Sequence, residues 1–293
     1  MYRDYLSSWK SLITLCFLAL FLTSCGGSKS SDEDSDSGFF GGLFNSGKEK
    51  VRQDPSAETL FGQAEQLRKT GDYSDAAAKY IELERLYPYS ELATKAQLLT
   101  AWSYFKENRY NDSLLTLDRF IQLHPGHPDV AYAYYMRAQN YYEQITGVKL
   151  DQAITLKAAE ALKDVIRRYP NSKYAQNARI QFDLTTDQLA GKEMAIGRYY
   201  QNLNHNLAAL NRFRRVVEDY QTTNHIQEAL HRIVETNLAL GIVDEAQNAA
   251  AVLGHNFPGS IWYRDSYSLL KGQNLTPKSK PTSWLKKTFQ KVF

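Results

Sequence analysis

Cysteine is nearly missing from this chain: there are two, Cys16 and Cys25, in 293 residues. The first falls in a leader that we expect to be removed, so the mature chain carries one thiol and an internal disulfide is excluded. Charge of one sign is lacking too. Thirty-five Lys and Arg face 32 Asp and Glu, which leaves no polybasic signature and no case for a nucleic-acid partner. The apolar run Leu12 to Leu22 is eleven residues long and is broken by Thr14, whereas a membrane-spanning helix needs about 20. Signatures of catalysis are absent as well. There is no glycine-rich phosphate loop, no metal motif and no nucleophile pattern. His124-Pro125-Gly126-His127 brings two imidazoles near each other, but on a turn with no third ligand close by. His225 and His231 are six apart and do not share a helix face. The expectation is a protein that binds and does not catalyse, with no cofactor and no metal.

What is present begins with a targeting segment at residues 1–24. Arg3 and Lys10 supply a short positive region ahead of the apolar run. Leu22-Thr23-Ser24-Cys25-Gly26 follows, small residues before a cysteine, as in the lipobox of bacterial lipoproteins. That resemblance implies cleavage after Ser24 and acylation of Cys25, which anchors the chain because several acyl chains together hold a membrane stably. Gly26 stands where Asp would retain a lipoprotein in the inner membrane, which favours the outer one. Residues 25–55 read as a tether. Positions 26–37 are Gly, Ser, Asp and Glu with one Lys and cannot form a core. Positions 38–47 carry three Phe and a Leu, suited to lipid, to the first helix or to a partner.

Residues 56–272 contain a repeat, the first thing to seek in such a chain. Gly71, Tyr73, Ala76, Tyr80 and Pro88 fit the tetratricopeptide spacing, as do Asn108, Tyr110, Ser113, Leu117 and Pro125. The phase continues through Ala158, Leu162, Val165 and Pro170, then Ala209, Phe213, Val216 and Gln221, then Gly241, Ala246 and Pro258. Five units in one phase predict an all-α superhelix of five helix-turn-helix repeats. A small residue lets the second helix of each hairpin approach the first, and proline, lacking an N–H, ends it. No hairpin buries its apolar stripe alone, so neighbours stack. The closing points at 88, 125, 170, 221 and 258 are 37, 45, 51 and 37 residues apart, against ~34 for an ideal unit. The third unit therefore carries an insertion near Thr146 to Gln152, and Ser172 to about Asn202 reads as one long helix.

First helices line the concave groove of such arrays. The template places Phe61, Glu65 and Arg68 there, with Leu98, Trp102 and Phe105, and with Tyr132, Tyr135, Gln139 and Tyr142; each ring has a competing reading as inter-helix core. An aromatic groove with polar handles suits an extended peptide bearing aromatic side chains. Residues 273–293 read as a linker, Pro277 to Pro281, and a tail. Trp284, Leu285, Phe289, Val292 and Phe293 fall largely on one helical face with Lys286, Lys287 and Lys291 elsewhere. This is a basic amphipathic helix for a membrane surface or a partner groove, or else a disordered tail.

The polar strings within the repeats go beyond generic spacing. Arg85 to Ser90, Arg119-Phe120-Ile121 with His124-Pro125, Asp151-Gln152, Arg168 to Ala175, Glu193 to Tyr200, Asn211-Arg212-Phe213, Glu228-Ala229-Leu230 and Asn256 to Ser260 resemble the BamD family, the lipoproteins of the outer-membrane β-barrel assembly machinery. The resemblance runs from about Ser56 to Leu270. Asn206 replaces the usual Tyr, Gln221-Thr222 replaces a Tyr-Pro closure, and the acidic tether and Trp/Phe-rich tail lie outside the family pattern. The resemblance implies a lipid-anchored scaffold on the periplasmic face of the outer membrane. It implies that C-terminal repeats dock on the POTRA domains of BamA alongside other Bam lipoproteins, and that N-terminal repeats recognise the C-terminal targeting signals, rich in aromatics, of unfolded outer-membrane proteins. On that basis Phe61, Arg68, Trp102, Phe105 and Tyr135 are expected to contact clients, and Glu193, Arg198, Asn211 and Arg212 to face BamA. A rival reading, a periplasmic repeat lipoprotein serving the cell wall or Tol–Pal, lacks the coiled-coil segment common in such proteins.

Overall fold

A computed structural model describes residues 54–279 and 284–289; Cys25, the acidic tether and the Phe-rich stretch lie outside them. Helix is the only regular secondary structure among the described residues. Five hairpins follow one another: α1 (Ala57–Thr70) with α2 (Tyr73–Leu86), α3 (Glu91–Lys106) with α4 (Tyr110–Leu123), α5 (Val130–Tyr142) with α6 (Ala153–Arg168), α7 (Lys173–Asn202) with α8 (Asn206–Asp219), and α9 (Ile226–Ala239) with α10 (Val243–Asn256). Then come α11 (Ile261–Gly272) and the short α12 (Trp284–Phe289). Each of α1 to α10 packs on the next, and the first helices also meet one another, α1 on α3, α3 on α5 and α5 on α7. The fold is the expected all-α stack of helix-turn-helix repeats.

Local chemistry sets the boundaries. Four helices on the first-helix side open on a serine whose hydroxyl accepts a backbone N–H: Ser56 from Thr59, Ser90 from Leu92, Ser172 from Ala175 and Ser260 from Trp262. Such caps satisfy donors that the helix itself leaves unpaired. Second helices end differently. Tyr87, His124, Tyr169, Tyr220 and Phe257 each leave helical geometry, with φ between −126° and −136°. Proline follows four of them, and a residue before proline is pushed out of the α region. Gln221 follows Tyr220 without altering that turn. Inside the hairpins, Gly71, Asn108, Asn204 and Gly241 take positive φ at the reversal, a conformation that Gly and Asn adopt at least cost.

The repeat template describes the core closely. Ala76, Ser113, Ala158, Ala209 and Ala246 are fully buried, as are Tyr80, Leu117, Leu162 and Phe213 one turn on. Small side chains therefore mark the close contacts and large ones fill the space beside them. α7 is long because it serves two neighbours. Ala178 and Phe182 join the α6 residues Leu162 and Val165, while Ala190 and Met194 join Leu210 and Phe213 of α8. The insertion between α5 and α6 lies along α7. Gln188 Nε2 donates to the Thr146 carbonyl, and Lys192 Nζ donates to those of Lys149 (2.9 Å) and Leu150 (3.2 Å).

The C-terminal segment, read as an amphipathic helix for a membrane surface or a partner groove or as a disordered tail, packs on the protein itself. α12 packs on α8 and α10. Leu285 is fully buried in the core cluster of units four and five, and Trp284 packs at its edge with the Arg214 guanidinium 5.2 Å from its ring centre. Before it, Gln247 Nε2 donates to the Thr276 carbonyl (2.8 Å), and the Lys278 N–H donates to that of Gln247 (3.2 Å). Trp284 and Leu285, which would face a membrane or a partner, are spent on the protein itself. Gln221, in place of the fourth closing proline, donates through Nε2 to the Thr288 carbonyl at 3.5 Å.

Candidate protein-binding site

Two surfaces gather the residues singled out in the sequence. The first is the face made by α1, α3, α5 and the start of α7. Its floor is charged. Glu65 accepts from Arg68 Nε (3.0 Å) and Nη2 (2.8 Å), and also from the Tyr80 hydroxyl at 2.5 Å. The Arg68 bonds, helped by that of Tyr80 and opposed by partial burial, hold the Glu65 carboxyl down at about 2. Burial, reinforced by the carboxylate, raises the Tyr80 phenol. Arg68 is thereby fixed with its guanidinium 5.2 Å from the centre of the Trp102 ring, and Tyr73 meets the same ring edge-on at 5.4 Å. Lys106 lies 5.5 Å from that ring, and Lys95 lies 5.3 Å from that of Phe61.

Tyrosines extend the face. Tyr132 and Tyr135 of α5 both pack on Tyr174 of α7, at 5.5 and 5.3 Å, with Lys173 Nζ 5.1 Å from the Tyr174 ring centre. Burial pushes the Tyr132 phenol up to about 12. Half-buried rings with cations over them offer flat apolar contact and positive potential together, the combination that recognises aromatic side chains and carboxylates. Phe61, Arg68, Trp102 and Tyr135 all belong to this face. Phe105 has Lys106 Nζ 5.9 Å from its ring centre and also meets Tyr110 of its own hairpin (6.0 Å). Two template positions are not open at all. Leu98 is core, and Gln139 is buried against Gln181 in a reciprocal amide pair of 2.6 and 3.1 Å.

The second surface is the corner between α7 and α8. Glu193, mostly buried, receives Arg212 and Arg215 at 3.1 Å each. Tyr200, Ala208, Asn211, Arg212 and Arg215 line a cleft of about 330 Å³. Around the turn, Tyr199 (62% exposed), Leu203 (48%) and Leu207 (63%) present apolar side chains to solvent. Of the four residues expected to share a partner face, Glu193, Asn211 and Arg212 come together. Arg198 points elsewhere. It binds both Glu228 oxygens of α9 at 2.9 Å, in a network that continues through Arg232 to Glu235. Burial works to raise the Glu235 carboxyl, yet bonds from His231, Gln201 and Arg232 bring it down to about 2.

Sequence reading misses Tyr199, Leu203, Leu207 and Arg215. The three apolar residues are spaced by four, but the helix breaks between them at Asn204, so no helical period connects them. The histidines have structural partners. His124 and His127 pack on Phe120, and His231 shares a 2.8 Å bond with the Ser266 hydroxyl. Among the described residues no group of three or more His, Cys, Asp or Glu is placed to hold a metal ion, and no helix is long and apolar enough to cross a membrane.

Comparison with known proteins gives the family. The family model described as YfiO, outer membrane lipoprotein, matches residues 53–253. A protein of Caulobacter vibrioides named outer membrane protein assembly factor BamD is 44% identical over 231 residues, 79% of this chain and 76% of its own. Its namesake in Rickettsia prowazekii is 41% identical, covering 73% of this chain and 85% of its own, and that in Neisseria gonorrhoeae is 31% identical, covering 86% and 92%. Among solved structures, a tetratricopeptide protein of Thermus thermophilus covers 73% of this chain and 98% of its own at 18% identity and a TM-score of 0.35. With the family model matching well over half the chain, and relatives above 40% identity over most of it, this chain belongs to the YfiO/BamD family of outer membrane lipoproteins.

Proposed function

We propose that this chain is a non-catalytic outer-membrane protein assembly factor, held at the periplasmic face of the outer membrane by lipid on Cys25. In this reading the α7–α8 corner docks on the POTRA domains of a BamA-type barrel protein, other assembly lipoproteins join the complex, and the α1–α5 face receives unfolded β-barrel clients for delivery. The observation that carries it is the corner itself. Three exposed apolar side chains, Tyr199, Leu203 and Leu207, adjoin a cleft whose arginines are held in place by one carboxylate. Exposed apolar residues grouped with fixed cations are the composition of a protein interface. The relatives, named as outer membrane protein assembly factors, supply the machinery. The Leu22 to Gly26 string supports the anchor. No cofactor and no nucleic acid enter this reading.

The test is affinity purification of the tagged chain from detergent-solubilised outer membranes, with co-purified proteins identified by mass spectrometry. A POTRA-bearing barrel protein in near-stoichiometric yield, lost on changing Leu203→Asp and Arg212→Glu together, supports the reading. Recovery of cell-wall or Tol–Pal components without such a protein overturns it.

A further inference from the structure

The face that begins with cations over aromatic rings does not keep that character along its length. α5 and α7 continue it through Tyr142 and Gln181 to the middle of α7, where the long helix passes from unit three to unit four. There Ile180 (58% exposed) and Leu184 (57%) stand one turn apart. Leu184 is a ridge between two clefts. One, about 260 Å³, is lined by Tyr142, Glu143, Ile145, Thr185 and Gln188. The other, about 270 Å³, lies between α7 and the loop at 222–224 and includes Ile180, Asp183 and Asp187. Neither cleft is lined by Lys or Arg. The nearby Lys192 is committed to the Lys149 and Leu150 carbonyls, and Arg179 to that of Pro170. The rim is therefore acidic, from Glu143, Asp183 and Asp187, around an apolar centre. Asp187 is partly engaged by the Asn224 N–H (3.2 Å) and His225 (3.7 Å).

At the other end of the same face the balance is opposite. Lys95 and Lys106 are held over rings, and Arg68 has its one carboxylate, Glu65, beneath it. Lys173 carries the positive character as far as the start of α7. The face thus has a positive, aromatic end at α1–α3 and a negative, aliphatic end at the middle of α7.

We infer that the acidic, aliphatic clefts beside Leu184 set the direction of a bound client segment: with its C-terminal end at α1–α3, as the family resemblance implies, an upstream stretch carrying Lys or Arg beside large apolar residues lies over Leu184. The inference rests on the client-binding reading above. Complementary charge at both ends favours this orientation, and the reversed one sets like charges together at both ends, the arrangement that excludes wrong registers. Length is consistent. First helices are spaced about 8–10 Å apart, so α3 to α7 is roughly 20 Å, which about six extended residues cross.

The experiment uses the full mature chain and a synthetic peptide of about ten residues, with lysines and leucines in its amino-terminal half and a C-terminal Phe bearing a free carboxylate. A benzophenone is placed next to one end or the other, and crosslinks are mapped by mass spectrometry. The expected result is labelling of α1 and α3 from the carboxyl end and of residues 180–187 from the amino end. The opposite pattern, or equal labelling of both regions from each end, overturns the direction. Absence of labelling anywhere on this face from either peptide instead defeats the client-binding reading.

Asp183→Lys supplies an independent check, because the Asp183 side chain is exposed. It should weaken the lysine peptide about fivefold, the scale of an exposed ion pair, and leave a peptide with Gln for Lys unchanged. Equal weakening of both peptides, or of neither, removes the acidic end from the argument.

Discussion

Gly197 of α7 lies directly against the ring of Phe213 in α8: a Cβ built at this position would stand within 2.9 Å of three ring carbons. Phe213 is fully buried and cannot swing clear. Gly197→Ala should therefore destabilise the fold by about 1–3 kcal/mol, the usual cost of overpacking a filled core, even though alanine is the better helix former. Gly62 in α1 has nothing within 4 Å of the same construction, so Gly62→Ala should raise stability by about 0.5–1 kcal/mol. Urea denaturation of the two variants checks both signs. Equal effects would mean that α7 and α8 are not packed as closely as described.

Acid should loosen the first unit through Glu65. Its carboxyl titrates near 2 in the folded chain against an ordinary value of 4.5. A carboxylate held below its usual value contributes stability that is present above pH 4.5 and is lost as the pH falls toward 2. Glu65→Gln removes that titration. Thermal melts at about pH 6 and about pH 3 should then show a smaller acid-induced drop for the variant than for the wild type. The variant should also be the less stable of the two at the higher pH, because Arg68 loses its charged partner. Parallel drops in both proteins would mean that Glu65 is not paired in solution.

How much of this is legible in the sequence depends on the range over which each feature is encoded. Ala76, Ser113, Ala158, Ala209 and Ala246 announce the hairpins because the contact each one permits is with the preceding helix, a few residues away. The bounds of α7 are legible for the same reason, with Ser172 as its cap. Counting from a template puts Leu98 and Gln139 on the open face. On a helix, though, a residue one position from the stripe is turned by about 100°, and the stacking of the next unit decides which side is covered. The landing site of Leu285 lies on α8 and α10, elements that the tail's own periodicity does not mention. The acidic clefts beside Leu184 draw on α5, α7 and the loop before α9, so no single segment displays them.

The tail should behave as a strap whose removal leaves the repeats standing. Leu285 of α12 is fully buried, and burying a leucine is worth about 1.5–3 kcal/mol. So short a helix has no stability of its own to add. Leu285→Asp should therefore release α12 while the far-ultraviolet circular dichroism stays near that of the wild type. Hydrogen exchange measured by mass spectrometry should quicken in 273–279, in α12 and along α10, and not in α1 to α6. Global loss of helix would show that α12 is part of the cooperative core.

Trp102 is the residue on which the client face depends most. Two cations, Arg68 and Lys106, lie over its ring, and Tyr73 abuts its edge, so removing the indole removes the ring that all three contact. Large rings at the centre of an interface commonly account for about 2 kcal/mol or more of binding, which is about thirtyfold in affinity. Trp102→Ala should lower crosslinking of a client's C-terminal peptide by that order, and Trp102→Phe, which keeps a ring under the cations, should recover much of it. Leu115, well exposed on α4 and outside this face, is the control: Leu115→Ala should leave crosslinking unchanged. A Trp102→Ala protein that stays folded and crosslinks like the wild type would remove clients from this face, leaving the corner at α7 and α8 to be judged on its own.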